Sequence, residues 1–530
     1  MNDCPNNYDA IVIGSGIGSL TTAALLAKKR KMRILVLEQH FNLGGQTHEF
    51  KRKGKFEFDV GLHYSCDMGD GNARVIFDYV TNGKVKWHKL PEDFEKFIYP
   101  DFQFNMPSSE AAFKSRLFER YPAEIDAIGQ YFRDMKSASL WYTFAHICDT
   151  LPSWARWMVK SGFRRWGQHA NITAGEYFDL HFKDPQLKAL LASQWGDYGL
   201  PPGEIAFGVH GLVVTSSFKG GWYPVGGSKE IVNAIVPIIE TAGGKVVSRR
   251  TVDEILIENN EAVGVRVHDT IKPSRPTEEY FAPIIISGAG AKNTFLKLLP
   301  NHFDIPFRQD LERVGDGYSA ICVYIGLKES PEKLGVDAAN YWVFDSYNHD
   351  VPRNSSEFPK NCFLTFPSLR NPKAKGHTAS IVTWVSYDEF AQWQGRPWKR
   401  RGEEYERTKQ EYARKIIDNI ELLFPGFSDL IAYVDISTPL SMEHFQGNAR
   451  GAFYGIPADP DRLFKVWTHS KTPVKNLYLT GSDVMCIGVA GAMVGGVKCA
   501  GEFMGTFGFF RLMMMMAKAE KRSRRLTGDD

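Results

Sequence analysis

The sequence predicts an α/β protein: a discontinuous, Rossmann-like dinucleotide-binding domain, with a mixed-sheet substrate domain and a helical, membrane-facing region set into it. Three observations predict this. Asp9 to Ser19 reads as a short apolar strand running into a glycine-rich turn. Val36-Leu37-Glu38 closes a second strand with an acid, and Asn476 to Gly481 forms a late strand ending in Gly481-Ser482-Asp483.

The turn comes first in the chain. Gly14 permits its tight backbone and Gly16 lets the main chain approach a pyrophosphate, while Ser15, Ile17 and Gly18 complete the loop. A helix expected from near Leu20 points its positive N-terminal end at those phosphates. The third glycine of the motif is replaced by Ser19, so helix and strand must pack around a slightly larger atom. Glu38 stands at the spacing that lets an acid accept both ribose hydroxyls, with Gln39 beside it.

A double glycine, Gly44-Gly45, follows with Gln46, and Phe56 to His63 then brings in Gly61, Leu62 and His63. Two glycines shortly after the ribose acid suit a backbone passing close to the rest of a long cofactor, which favours FAD over NAD. At the far end, Asp483 can accept from a ribityl chain. A small-residue helix opening near Val489 and Ala490 faces its N-terminus to the electron-rich N1/O2 edge of a flavin.

The cofactor domain is therefore expected in three pieces, 1–75, 220–290 and 472–510, with substrate-binding pieces at 76–219 and 291–471 and a basic tail at 511–530. In the middle piece Lys229 to Ala242 has helical spacing and stops at Gly243-Gly244. Two alternating runs after it read as paired strands, and Ile284 to Gly290, carrying Gly288 and Ala289, returns the chain to the cofactor. Ala320 to Leu327 and Ala379 to Ser386 suggest a mixed sheet roofing the flavin.

Composition narrows the function. The 530 residues carry 64 basic and 61 acidic side chains, a net +3, so no global field points to nucleic acid. Seven cysteines, from Cys4 to Cys499, are scattered without a CxxC pair, which argues for reduced thiols and against zinc. The first strand starts close to Met1, so a signal peptide is not expected, and no apolar run reaches the roughly 20 residues of a membrane span. The expectation is a cytoplasmic protein, peripheral on the membrane. Trp141, Trp154, Trp157 and Trp166 interleave with Arg156, Lys160, Arg164 and Arg165. Phe503, Phe507, Phe510 and Met514 recur at helical spacing before Lys518, Lys521, Arg522, Arg524 and Arg525. Both stretches suit a headgroup boundary, and both suit ordinary docked helices.

Narrower motifs carry a family resemblance: FDVGLHY at 58–64, GDYG at 196–199, GGWYPVGGS at 220–228, TFPS at 365–368 and NLYLTG with Asp483. From Tyr8 to about Phe503 the chain resembles the flavin-dependent phytoene desaturase and carotenoid isomerase superfamily, and within it the all-trans-retinol 13,14-reductase (retinol saturase) branch. The resemblance implies FAD, the backbone of Val252 against its adenine, and a hydrophobic polyene or isoprenoid substrate. Two departures stand out. Gln46 stands where many relatives of the wider superfamily place an arginine or lysine, and an N-terminal targeting segment like that of the animal reductases is not expected.

Such an enzyme would saturate one conjugated double bond; desaturation or cis-trans isomerisation would use the same cofactor, and a non-catalytic prenyl-lipid escort would use the same fold. NADPH or NADH is a candidate electron donor. Reduction needs a hydride at one carbon and a proton at the other. Asp197, Tyr198 and His210 are candidates for moving the proton, and His63 and Tyr64 should lie beside the flavin. Cys486 reads as a small apolar filler.

Overall fold

The computed structural model describes residues 8–152, 154–157, 167–350, 358 and 360–527. Cys4, Lys160, Arg164, Arg165 and Trp166 lie outside the described residues. Five short parallel strands form the cofactor sheet in the order Leu477–Leu479, Ile285–Ser287, Ala10–Ile13, Ile34–Leu37, Lys245–Val247. The two central N-terminal strands, AIVI and ILVL, are buried at every residue. An unbroken β-branched and leucine run is what a parallel strand covered on both faces requires.

Helices Ile17–Arg30 and Gly488–Gly501 cover the sheet together. The first begins three residues before the position the sequence suggested, because Gly16 ends the turn in an extended conformation and releases the chain at once into helix. Glycines let these elements approach: a Cβ on Gly18 would meet the backbone of Gly481 and Ala492, and one on Gly496 would meet Thr21. The bulk of Ser19 is accommodated by its neighbour, since any side chain at Gly288 would strike the Ser19 hydroxyl.

The second layer is a seven-stranded mixed sheet ordered Ile431–Ser437, Ser319–Leu327, His377–Val385, Cys362–Thr365, Asn340–Val343, Glu95–Ile98, Gln103–Met106. Its pairs are antiparallel except where Asn340–Val343 meets Glu95–Ile98. A helical layer, with Ile125–Ile147 packed on Phe207–Ser217, closes the other side.

The C-terminal end departs from its expected form. Gly505 (φ 75°) and Phe507 (φ 61°) adopt left-handed backbone, so the helical spacing of Phe503 and Phe507 with the later residues is coincidental. The helix runs from Gly508 to Thr527, buries Phe509, Leu512 and Met516, and Arg524 donates to the Gly69 carbonyl at 3.0 Å. It is a docked helix with an exposed basic face rather than a free tail. Lys498, 0 % exposed, pairs with Asp149 at 2.8 Å and donates to the Val484 carbonyl, tying the late cofactor helix to the segment that leads to Trp154.

Candidate active site

A cavity of about 1280 Å³ opens where the two sheets meet. That exceeds the usual range for a drug-sized ligand and suits a dinucleotide with room to spare. Gly14, Gly16, Ile17, Gly18, Ser19, Glu38, Gln39, Gly45, Gln46, Val252, Gly288, Ala289, Gly481, Asp483 and Val489 all line it. A Cβ on Gly16, Gly481 or Gly488 would meet nothing within 4 Å, so the backbone there faces open space, as a phosphate cradle must. The residues present fit a bound FAD.

The remaining cofactor candidates sit behind this wall. The Ser15 amide and hydroxyl both donate to Glu38 Oε2 at 2.7 Å, and Gly44 donates to Ser15 Oγ at 2.9 Å, so Ser15 and Gly44 brace the ribose acid instead of lining the cavity. Glu38 Oε1 accepts from the His40 amide at 2.7 Å, which fixes the carboxylate plane and leaves its other lone pair for a ribose hydroxyl. Gly61, Leu62 and His63 follow the end of strand Phe56–Asp59, and these three and Ala490 are not lining residues. Asp483 has a double task. Its Oδ2 accepts from the Ala291 amide at 2.7 Å and its Oδ1 from the Ile456 amide at 3.2 Å, so it staples two loops at the cavity floor.

The proposed proton-handling residues divide into two groups, neither of which touches the large cavity directly. His210 and Tyr198 are 0 % and 1 % exposed. The two ring nitrogens of His210 bond Tyr131 Oη at 2.8 Å and Tyr198 Oη at 3.1 Å, and burial lowers the imidazole to about 3. This is a packed hub of the helical layer, in which the imidazole and both hydroxyls are occupied by one another. Sequence adjacency hid the difference: Asp197 and Tyr198 are neighbours on the short helix Trp195–Tyr198 and so point to different sides.

His63, Tyr64 and Asp197 form the other group. They lie deep in the molecule, yet each keeps part of its surface accessible, so they face an interior space. Tyr64 Oη donates to Asp197 Oδ2 at 2.5 Å. Burial raises the Asp197 carboxyl to about 7. Glu95, 0 % exposed, is raised to about 8 by burial and by the charge of Asp197, and it accepts from Trp342 Nε1 at 2.6 Å and Asn340 Nδ2 at 2.9 Å. Two buried carboxyls that repel each other retain protons into the neutral range. His63 stays neutral, its imidazole lowered to about 3 by burial and by the Arg370 charge. Next to this group, Gly199 abuts the ring of Tyr454, which does line the large cavity.

Sequence reasoning missed Glu95, Arg370 and Tyr454. Arg370, fully buried, donates to the carbonyls of His63, Ala338 and Ala339 and to Asn340 Oδ1, fastening the His63 segment to the mixed sheet. Glu95 stands alone in a strand of alternating burial, where a buried acid gives no periodic signal. The narrow motifs also find their reason here: Asp59 accepts from Tyr223 Oη at 2.5 Å and from the Ser228 amide at 3.4 Å, joining FDVG to GGWYPVGGS. Cys486 is buried and its thiol is pushed up to about 11 by burial, which keeps it protonated and apolar.

Residues 12–80 match the family described as NAD(P)-binding Rossmann-like domain. All-trans-retinol 13,14-reductase of Danio rerio is 33% identical, over 93% of this chain and 86% of that one. The chain belongs to the all-trans-retinol 13,14-reductase family. As a member, it is an oxidoreductase acting on CH–CH groups. The wider kinship is visible in prolycopene isomerase 2 of an Oncidium hybrid cultivar, 27% identical over 95% of this chain and 84% of that one. Among solved structures, putrescine oxidase bound to putrescine superposes with a TM-score of 0.64 at 14% identity, covering 94% of this chain and 100% of that one, a likeness of fold alone.

Proposed function

We propose that this member of the all-trans-retinol 13,14-reductase family is an FAD-dependent reductase that saturates one double bond of a hydrophobic polyene. The observation that carries the reading is the pairing of a dinucleotide-sized cavity with a buried Tyr64–Asp197 hydrogen bond and the buried Glu95 behind its Tyr454 wall. Flavin, when bound, supplies the hydride. The protein supplies position and a proton. Asp197 and Glu95 hold that proton near neutrality, Tyr64 orients Asp197, and Tyr454 stands between them and the cavity. A conjugated chain would meet an aromatic surface on this side, since Trp384 packs against Gly196 beside Asp197.

The test is anaerobic. Reduced with dithionite, so that the natural donor, nicotinamide or otherwise, does not enter, the protein is mixed with all-trans-retinol or a carotenoid in detergent. Flavin reoxidation with product heavier by two hydrogens is expected. Geometric isomerisation without a mass change would replace reduction with the isomerase reading, and a colourless protein that holds no flavin would point to the escort.

Access from a lipid surface belongs to the same proposal. Among the described residues no helix is long and apolar enough to cross a membrane. Trp154 and Trp157 are 62% and 72% exposed and Met514 is 58% exposed, while the Trp154 ring lies 6.3 Å from Phe507. The aromatic segment therefore meets the start of the C-terminal helix, whose later turns carry the exposed Lys518, Lys521, Arg522 and Arg525. Trp141, by contrast, packs on the core from helix Ile125–Ile147. Each basic residue near an anionic bilayer contributes about 1 kcal/mol. Reversing Lys521 and Arg522 to glutamate with Trp157→Ala is expected to cut flotation with phosphatidylserine vesicles at least tenfold. Undiminished flotation would rule this patch out as the contact.

A further inference from the structure

We propose a divalent metal site of the zinc class, formed by Asp134, His169 and His181, at the outer edge of the helical layer. The three come from separate places: Asp134 from helix Ile125–Ile147, His169 from the turn at 167–170, and His181 from the last turn of helix Ala174–His181. One ligand atom of each lies within 4.8 Å of the others, and all three side chains are half-buried. Zinc bonds of about 2.0–2.1 Å to imidazole nitrogen would bring the ligand atoms to roughly 3.3 Å of one another, a closure of at most about 1.5 Å.

The surroundings are those of a ligand set. Asp134 is oriented from behind by two donors, Tyr177 Oη at 2.8 Å on Oδ2 and Gln130 Nε2 at 2.7 Å on Oδ1, and each oxygen keeps a lone pair. Outer donors of this kind fix a ligating carboxylate. The His181 ring stacks on Tyr177 at 4.3 Å and His169 meets the same ring edge-on at 5.4 Å, so both imidazoles are held by one aromatic plate. Among the described residues neither imidazole has a hydrogen bond to protein, which leaves nitrogen lone pairs for a metal. Two imidazoles and one carboxylate select a borderline cation such as Zn²⁺ over Mg²⁺ or Ca²⁺. A fourth position remains for water.

What the ion would do follows from the neighbours. Tyr177 also stacks on Phe207 at 3.9 Å, and Phe207 opens the helix that carries the His210 hub. Closing the site would clamp the chain where it returns from the Trp154 segment onto the helical layer. The cysteine-based expectation of no zinc did not reach these residues, because a carboxylate and two histidines scattered through the chain form no spacing motif.

Chelator-stripped full-length protein should bind one Zn²⁺ by titration calorimetry, and Co²⁺ in its place should give visible d–d absorption. Both His169→Gln and His181→Ala should weaken Zn²⁺ binding at least about 100-fold, and Tyr177→Phe, which keeps the stack and loses the bond to Asp134, about tenfold. His169→Gln changes a turn residue and so reports even where His181→Ala does not fold. No stoichiometric Zn²⁺, or affinity unchanged within threefold in His169→Gln, would overturn the site. Metal content is read without flavin or substrate, so the result stands apart from the fate of the reductase reading.

Discussion

Replacing Asp483 by alanine is expected to strip most of the flavin from the protein and to lower its stability by about 2–6 kcal/mol. The second effect comes from the staple. Alanine leaves the Ala291 and Ile456 amides buried without an acceptor, and each orphaned donor costs about 1–3 kcal/mol. From the sequence alone the same substitution reads as a pure cofactor change, because a carboxylate after NLYLTG advertises only its ribityl contact. Its main-chain partners lie 192 and 27 residues away. Asp483→Asn separates the two roles. The amide oxygen keeps one acceptor while the NH₂ group opposes the other N–H, so the variant should fold and bind flavin at an intermediate level. The ratio of 450 nm to 280 nm absorbance and the thermal midpoint, measured on both variants, decide the matter. Full colour with an unmoved midpoint in the alanine variant would mean that Asp483 neither holds the floor nor serves the cofactor.

The difference between what was legible and what was not has a physical cause. Parallel strands buried on both faces are written as apolar runs, and a turn that must approach phosphate is written as glycine, so the Rossmann-like sheet and its cavity rim could be read directly. Ser19 was readable as an exception, and its compensation at Gly288 was not, because the partner lies on another strand. The mixed sheet could be anticipated from Ala320 to Leu327 and Ala379 to Ser386, which match strands Ser319–Leu327 and His377–Val385 except at Ser386, one residue past the second strand. Buried polar groups are the opposite case. Arg370 bonds main-chain carbonyls at His63, Ala338 and Ala339, and a carbonyl carries no residue identity. Tyr198 and His210 looked chemical for the same reason that makes them structural: a hydroxyl and an imidazole satisfy one another inside a dry helical layer.

The buried acid pair yields the other large effect. In the folded protein burial lifts Asp197 to about 7, and burial with the neighbouring charge lifts Glu95 to about 8, both far above the roughly 4 of an unfolded chain. Between about pH 4 and pH 8 the native state therefore holds protons that the unfolded state has released. Stability should be greatest on the acid side of that window, fall as pH rises through it, and level off above it. Catalysis should follow the same protons. If the protonated pair feeds the substrate carbon, reoxidation of reduced flavin by the polyene is flat below about pH 7 and declines above it. Asp197→Asn is expected to slow that step by about 10²–10⁴-fold and to abolish the alkaline limb while flattening the stability profile. Glu95→Gln removes the partner that is still protonated when Asp197 ionises, so the limb should persist near pH 7 while the upper part of the stability profile is lost. A role confined to structure would lower the amplitude in both variants and leave the alkaline limb in place in Asp197→Asn. Stopped-flow traces across pH 5.5–9 for the two variants distinguish these outcomes, and an Asp197→Asn protein that keeps the wild-type rate and limb would transfer the proton source to another wall of the chamber.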